Sequence, residues 1–162
     1  MTEHLPPIII ARRDYARLER LAVNALRERH PVSRFLISEI HRAVVCDANK
    51  MPYGVARLNE WVTYRIDDSK QTESKMLVCP DEFRSTQVNL SVLSPLGAAV
   101  LGMSVGNCIK FFSIEGRPHF VIVESVVAPA GAPLLFPLKA RRGANQVPTE
   151  PRGPDDEGPK AA

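Results

Sequence analysis

Apolar residues recur along the first third of the chain at intervals of three and four. Tyr15, Leu18, Leu21, Ala22, Ala25 and Leu26 fall on one stripe, and Val32, Phe35, Leu36, Ile40, Ala43 and Val44 on a second. This spacing follows the 3.6-residue turn of a helix with one apolar face, so it predicts two amphipathic helices between about Arg12 and Cys46. His30-Pro31 separates them. Proline is tolerated in a first helical turn, but in an interior it removes a hydrogen bond and clashes with the preceding turn. The first helix should therefore stop near Arg29 and the second start near Pro31. The result is an antiparallel hairpin with arms of about 16 residues, roughly 24 Å each at 1.5 Å per residue. Ahead of it, the isoleucines within Pro6–Ile10 favour an extended segment. Periodicity leaves open whether the stripes pack onto a globular body or onto each other and project.

After the turn-rich joint Met51-Pro52-Tyr53-Gly54 the pattern shortens to that of strands. Leu58–Ile66, Lys75–Cys79, Val88–Leu93, Cys108–Ile114 and Pro118–Val127 are rich in β-branched and aromatic residues. Glu115-Gly116-Arg117 supplies a hairpin turn between the last two, because glycine accepts positive φ. Pro95–Leu101 suits one short helix, opened by Pro95, capped by Ser94 and closed by Gly102. The fold class expected is α+β. Residues 1–50 hold the extended segment and helical hairpin, 51–128 the sheet-bearing domain, and 129–162 a tail. That tail is rich in proline and lacks periodic apolar positions, so its composition predicts disorder. It is basic first (Lys139, Arg141, Arg142) and acidic later (Asp155, Asp156, Glu157).

Composition narrows the chemistry. Of 162 residues 44% are hydrophobic but only 6% aromatic, so the core must be mostly aliphatic. Lysine and arginine exceed the acids by 21 to 18, and a net charge of +3 is far from that of a polycation built to neutralise phosphates. No apolar run approaches the roughly 18–20 residues that span a bilayer, and the N-terminus lacks a signal-peptide layout, so a soluble cytoplasmic protein without membrane contact is expected. Cys46, Cys79 and Cys108 form no CxxC pair. Cys79 and Cys108 sit in apolar runs and read as buried, while Cys46 lies near the expected end of the second helix. The histidines are scattered, so no metal site is expected. Gly97, Gly102 and Gly106 lack the Gly-Lys-Ser/Thr ending of a phosphate loop, and no cofactor or catalytic residue is assigned.

The stretch from Leu90 to Gly106 resembles the C-terminal domain of the GreA/GreB transcript-cleavage factors. Ser94-Pro95, Ala98-Ala99, Leu101-Gly102 and Val105-Gly106 stand in that family's order: strand, Ser-Pro, alanine-rich helix, glycine, and a Val-Gly step into the last hairpin. Pro7–Ile10, Arg42-Ala43, Met51-Pro52, Val62 and Arg65 look like the Rnk family, the short-hairpin branch of the same superfamily. The resemblance covers residues 7 to 127. It implies an FKBP-like globule bearing a short coiled-coil hairpin, which docks at the secondary-channel rim of RNA polymerase with the hairpin directed at the channel. By that resemblance Ser94, Pro95 and Leu96 belong to the docking surface and Arg27, Glu28, Arg29 and His30 form the channel-directed tip. Leu93 stands where Gre proteins commonly have a polar residue.

Cleavage factors of this superfamily carry acids at the tip, where two carboxylates help hold a second Mg²⁺ and orient a water. Here the tip offers only Glu28, between Arg27 and Arg29. Neighbouring cations make a carboxylate a poorer ligand for a dication. Asp14, Glu19 and Glu39 lie down the arms. A non-catalytic, monomeric polymerase-binding regulator is therefore expected. The alternatives are an FKBP-like prolyl isomerase using aromatics among Trp61, Tyr64, Phe83, Phe111, Phe112 and Phe120, a module touching nucleic acid through the basic tip or tail, and an indirect regulator of nucleoside diphosphate kinase.

Overall fold

Two helices form where the apolar stripes predict them. In the computed structural model, which describes residues 5–130, α1 spans Arg12–Arg27 and α2 spans Ser33–Arg42. The expected disordered tail lies outside these residues, save its first two positions. α1 stops just short of Arg29 because its end is closed by a Schellman arrangement. The His30 N–H donates to the Ala25 carbonyl at 2.8 Å and the Arg29 N–H to that of Leu26 at 3.0 Å. Arg29 takes a φ of 57° to make this reversal. Pro31 sits in the turn rather than in α2. The Ser33 N–H and hydroxyl both donate to the His30 carbonyl, at 3.1 and 2.7 Å, and His30 Nδ1 accepts the Val32 N–H at 3.2 Å.

The second arm corrects the sequence reading. It has ten residues instead of about 16, and Val44–Cys46 leaves the helix to form a strand. This strand, β2, pairs in parallel with β1 (Ile9–Ala11), in the register Ile9↔Val44, Ile10↔Val45 and Ala11↔Cys46. Val44 and Val45 are β-branched, and the isoleucine strand offers them an open edge; ladder hydrogen bonds then outweigh continuation of a helical stripe. Cys46 consequently lies in a strand.

The remaining strands are β3 (Trp61–Ile66), β4 (Glu73–Val78), β5 (Asn89–Ser91), β6 (Cys108–Phe112) and β7 (Pro118–Val127). They form one sheet in the order β5-β4-β3-β7-β6, antiparallel except for β4 with β5. α3 (Pro95–Val100) lies between β5 and β6 in sequence and packs on the inner face. Strand alternation sorts the side chains. Val62, Tyr64, Leu77, Ile109, Phe111, Val121 and Val123 are buried in one core with Ala98–Leu101 and with Leu18, Leu36 and Ile40 of the hairpin. The same alternation turns Cys108 outward, so it is exposed, contrary to its expected burial, whereas Cys79 is buried. No helix among the described residues is long and apolar enough to cross a membrane.

The hairpin is rooted in this core at one end. α1 and α2 pack chiefly on each other and α2 also meets α3. The Ile9 N–H donates to the Gly102 carbonyl at 2.9 Å, and a Cβ at Gly102 would lie 2.8 Å from the Ile9 carbonyl oxygen, so β1 crosses where only glycine leaves room. Arg17 of α1 reaches Asp81 at 3.0 Å and Glu82 at 3.3 Å. Arg42 donates to the Pro6 carbonyl at 2.6 Å and grips both oxygens of Glu39, which is 1% exposed. Among the described residues, every hydrogen bond and ion pair of residues 20–38 stays within the hairpin. The apolar stripes of the two helices pack on each other, and Leu18, Ala22, Val32, Leu36 and Ile40 belong to the same apolar cluster as the sheet and α3.

Candidate docking surface and hairpin tip

The loop from Ser91 to Gly97 is fixed by its own hydrogen bonds. The Ser94 hydroxyl accepts the Gly97 N–H at 2.9 Å and donates to the Ser91 carbonyl at 2.7 Å. Pro95 fills the first helical position, where its missing N–H costs nothing. A Cβ on Gly97 would fall 1.9 Å from the Ser91 carbonyl oxygen, so no other residue fits this turn. The result is a rigid corner that presents Ser94, Pro95 and Leu96 side by side.

This corner forms one wall of an open groove of about 410 Å³. Phe111, Ile114, Glu115 and His119 from the β6–β7 hairpin line it as well, over Ile66 and Leu90. Ile114 is 70% exposed. The three expected residues are thus brought together, and the structure adds a second wall that sequence reasoning missed. An isoleucine beside the Glu115-Gly116 turn was its only linear signal.

A latch holds that second wall. His119 Nδ1 lies 2.8 Å from one oxygen of Asp67, whose other oxygen accepts the Phe120 N–H at 2.8 Å. The Asp67 N–H donates in return to the Phe120 carbonyl, with Asp67 at a φ of 52°. Hydrogen bonds from His119 and then from Phe120 hold the Asp67 carboxyl below the usual carboxylate range. The His119 ring rests against Phe111, centroids 5.5 Å apart.

At the α1–α2 turn Arg27, Glu28 and Arg29 are exposed, and His30 is half-buried and accepts the Val32 N–H. None of the first three forms an ion pair among the described residues. Every other acid on the arms is engaged below them. Asp14 lies 3.7 Å from Arg13 at the root, and burial pushes its carboxyl up. Glu19 is 4.0 Å from His41, and Glu39 is held by Arg42. Outside the arms, Cys79, Asp81 and Glu82 bring three donor atoms within 4.8 Å of one another. Arg17 already pairs with both carboxylates, and burial pushes the Cys79 thiol up to about 11.

The aromatics divide between sheet faces. Phe111 reaches the groove and Tyr64 is buried on the inner face, where burial raises its hydroxyl pKa and Glu73 accepts its proton at 3.1 Å. Trp61, Phe112 and Phe120 point from the opposite face, by the register Phe112↔Pro118 and Lys110↔Phe120.

Residues 51–126 match the family model described as transcription elongation factor GreA/GreB, C-terminal, and residues 6–45 match that of the Rnk N-terminus. The regulator of nucleoside diphosphate kinase of Escherichia coli is 30% identical over 128 residues, covering 78% of this chain and 94% of that protein. The chain belongs to the Rnk and GreA/GreB family. A solved GreA/GreB elongation factor from Nitrosomonas europaea is 30% identical with a TM-score of 0.61, covering 75% of this chain and 98% of its own. GreA of Thermotoga neapolitana is 34% identical over 67 residues, 41% of this chain and 43% of that factor. Membership of the Rnk and GreA/GreB family supports a transcription-factor-like role, and the relatives are regulators and elongation factors rather than enzymes of a conventional kind.

Proposed function

We propose that this chain is a non-catalytic regulator that binds RNA polymerase at its secondary channel and does not stimulate transcript cleavage. The carrying observation is the pairing of a retained docking corner with an acid-poor tip. Ser94, Pro95 and Leu96 are locked in an exposed apolar groove. The tip presents Glu28 alone, between two exposed arginines, with Glu39 sequestered by Arg42 and Glu19 facing His41. A second Mg²⁺ needs several hard oxygen ligands in near-octahedral array, and one carboxylate flanked by cations is a weak start. The short second arm adds to this: ten residues make roughly 15 Å of helix.

Groove chemistry favours an apolar partner surface with polar anchors at Ser94 and His119 over the aromatic-walled cleft that suits prolyl isomerisation, because Phe111 alone of the six candidate aromatics lines it. The test is competition with a Gre factor on purified core polymerase, with backtracked complexes as substrate. The chain is expected to displace the Gre factor and suppress cleavage without shortening RNA itself. Leu96→Asp, which places a charge at an apolar contact, is expected to weaken competition roughly thirtyfold, from a loss of about 2 kcal/mol. RNA shortening by the chain alone, or competition untouched by Leu96→Asp, refutes the proposal.

A further inference from the structure

A second cleft opens at the β4–β5 edge of the sheet, on the face away from the Ser94–Leu96 groove. Neighbouring residues of a strand point to opposite faces. Leu90 therefore lines the groove, while Asn89 beside it lines the cleft. The cleft measures about 430 Å³, within the range of about 300–1,000 Å³ that ligand sites occupy. Met76, Val78 and Val88 give it an apolar lining. Asn89 is 7% exposed, and its Oδ1 accepts the Arg84 and Ser85 N–H groups at 2.9 and 3.4 Å. The Asn89 N–H donates in turn to the Ser85 carbonyl at 2.8 Å, which fixes the loop against the start of β5. These bonds leave Asn89 Nδ2 without a partner among the described residues, and a donor in so buried a side chain normally has one. Arg84 also lines the cleft, is exposed, and forms no ion pair among the described residues. The lining acid, Glu82, lies 3.3 Å from Arg17 instead. An uncommitted cation and an uncommitted amide donor thus stand beside an aliphatic surface.

We propose that this cleft binds the C-terminal end of a peptide whose last residue is aliphatic. The terminal carboxylate accepts hydrogen bonds from the Arg84 guanidinium and from Asn89 Nδ2, and the last side chain lies on Met76, Val78 and Val88. A guanidinium presents its donors in a planar fork that matches a carboxylate, and capture of a chain end is a recurring mode of peptide recognition. The lining argues against a nucleotide, because it contains no aromatic ring on which a base could stack. A cleft of this size takes a ligand of drug size, which a peptide end matches and a single small acid leaves unfilled. The site lies on the other face of the sheet from the polymerase-docking corner, so it stands or falls independently of that reading.

The test is titration of the full chain with the peptide acetyl-Ala-Ala-Leu, followed through backbone amide resonances by two-dimensional NMR. The Arg84 and Ser85 signals, whose N–H groups donate to Asn89 Oδ1, should shift together with those of Met76 and Val88 and saturate below about 1 mM. The same peptide with its carboxylate amidated should bind roughly tenfold more weakly. Arg84→Gln should bring the free-acid peptide down to the level of the amidated one, with the circular dichroism of the chain unchanged. Val88→Asp, at a side chain already 46% exposed, should weaken the free acid more than the amide, because the new charge repels a carboxylate. An absence of saturation, equal binding of acid and amide, or full affinity in Arg84→Gln overturns the proposal. So do shifts confined to Leu96 and Ile114, which place the peptide in the docking groove, and acetyl-leucine binding as tightly as the tripeptide, which makes the ligand a free acid.

Discussion

The pair Glu39–Arg42 offers the sharpest test of how the hairpin is anchored. The Glu39 side chain is 2% exposed and that of Arg42 22%, and Arg42 meets both carboxylate oxygens while donating to the Pro6 carbonyl. Removing one partner of a buried pair strands the other charge, at a cost of about 3–5 kcal/mol. Arg42→Leu strands the Glu39 carboxylate, whose side chain is 2% exposed, and should cost at least about 3 kcal/mol. Replacing both partners removes the stranded charge. Glu39→Leu with Arg42→Leu should therefore be destabilised by only about 1 kcal/mol, mostly the lost hydrogen bond to Pro6. Urea unfolding at neutral pH, read by circular dichroism, gives the three free energies and hence the coupling. The single variant should also melt about 10 °C lower. If the double variant is as unstable as Arg42→Leu and Glu39→Leu measured singly and summed, the pair is not a coupled anchor, and the anchoring of α2 to the Pro6 segment has another origin.

Two further outcomes test the site's local geometry. Arg29 sits at a φ of 57° in the helix-to-helix turn, so Arg29→Gly should stabilise the chain by up to about 1 kcal/mol in thermal unfolding; a loss instead would mean the arginine side chain holds the turn. The Asp67 carboxyl is held below its ordinary range, so the unfolded chain takes up that proton first and stability falls as pH drops from roughly 4 through the lower folded value. Asp67→Asn should flatten part of that acid limb and leave stability above pH 5 independent of this group, and an unchanged limb in acid-titrated urea melts refutes the latch.

The elements legible in the sequence were those whose signal is local. The stripe from Tyr15 to Leu26 specified α1, the alternation of Pro118–Val127 specified β7, and Ser94-Pro95 ahead of Ala98-Ala99 specified the capped corner of α3. Each depends on neighbours within a turn or a strand, and burial of one face then follows. The acid-poor tip was legible for the same reason, since Arg27, Glu28 and Arg29 are adjacent.

What only the tertiary structure decided is long-range pairing and the faces that result. Val44–Cys46 continued an apolar stripe, and only the open edge of Ile9–Ala11, some 35 residues earlier, made it a strand. Cys108 lay in an apolar run, and its exposure depends on which way Ile109 and Phe111 turn. The groove joins Ser94–Leu96 to Ile114 and His119 across the sheet, a junction carried by the pairing of β6 with β7 and by the Asp67–His119 contact. Period and capping are properties of a segment. Register, face and groove are properties of which segments find each other, and no single stretch of chain contains them.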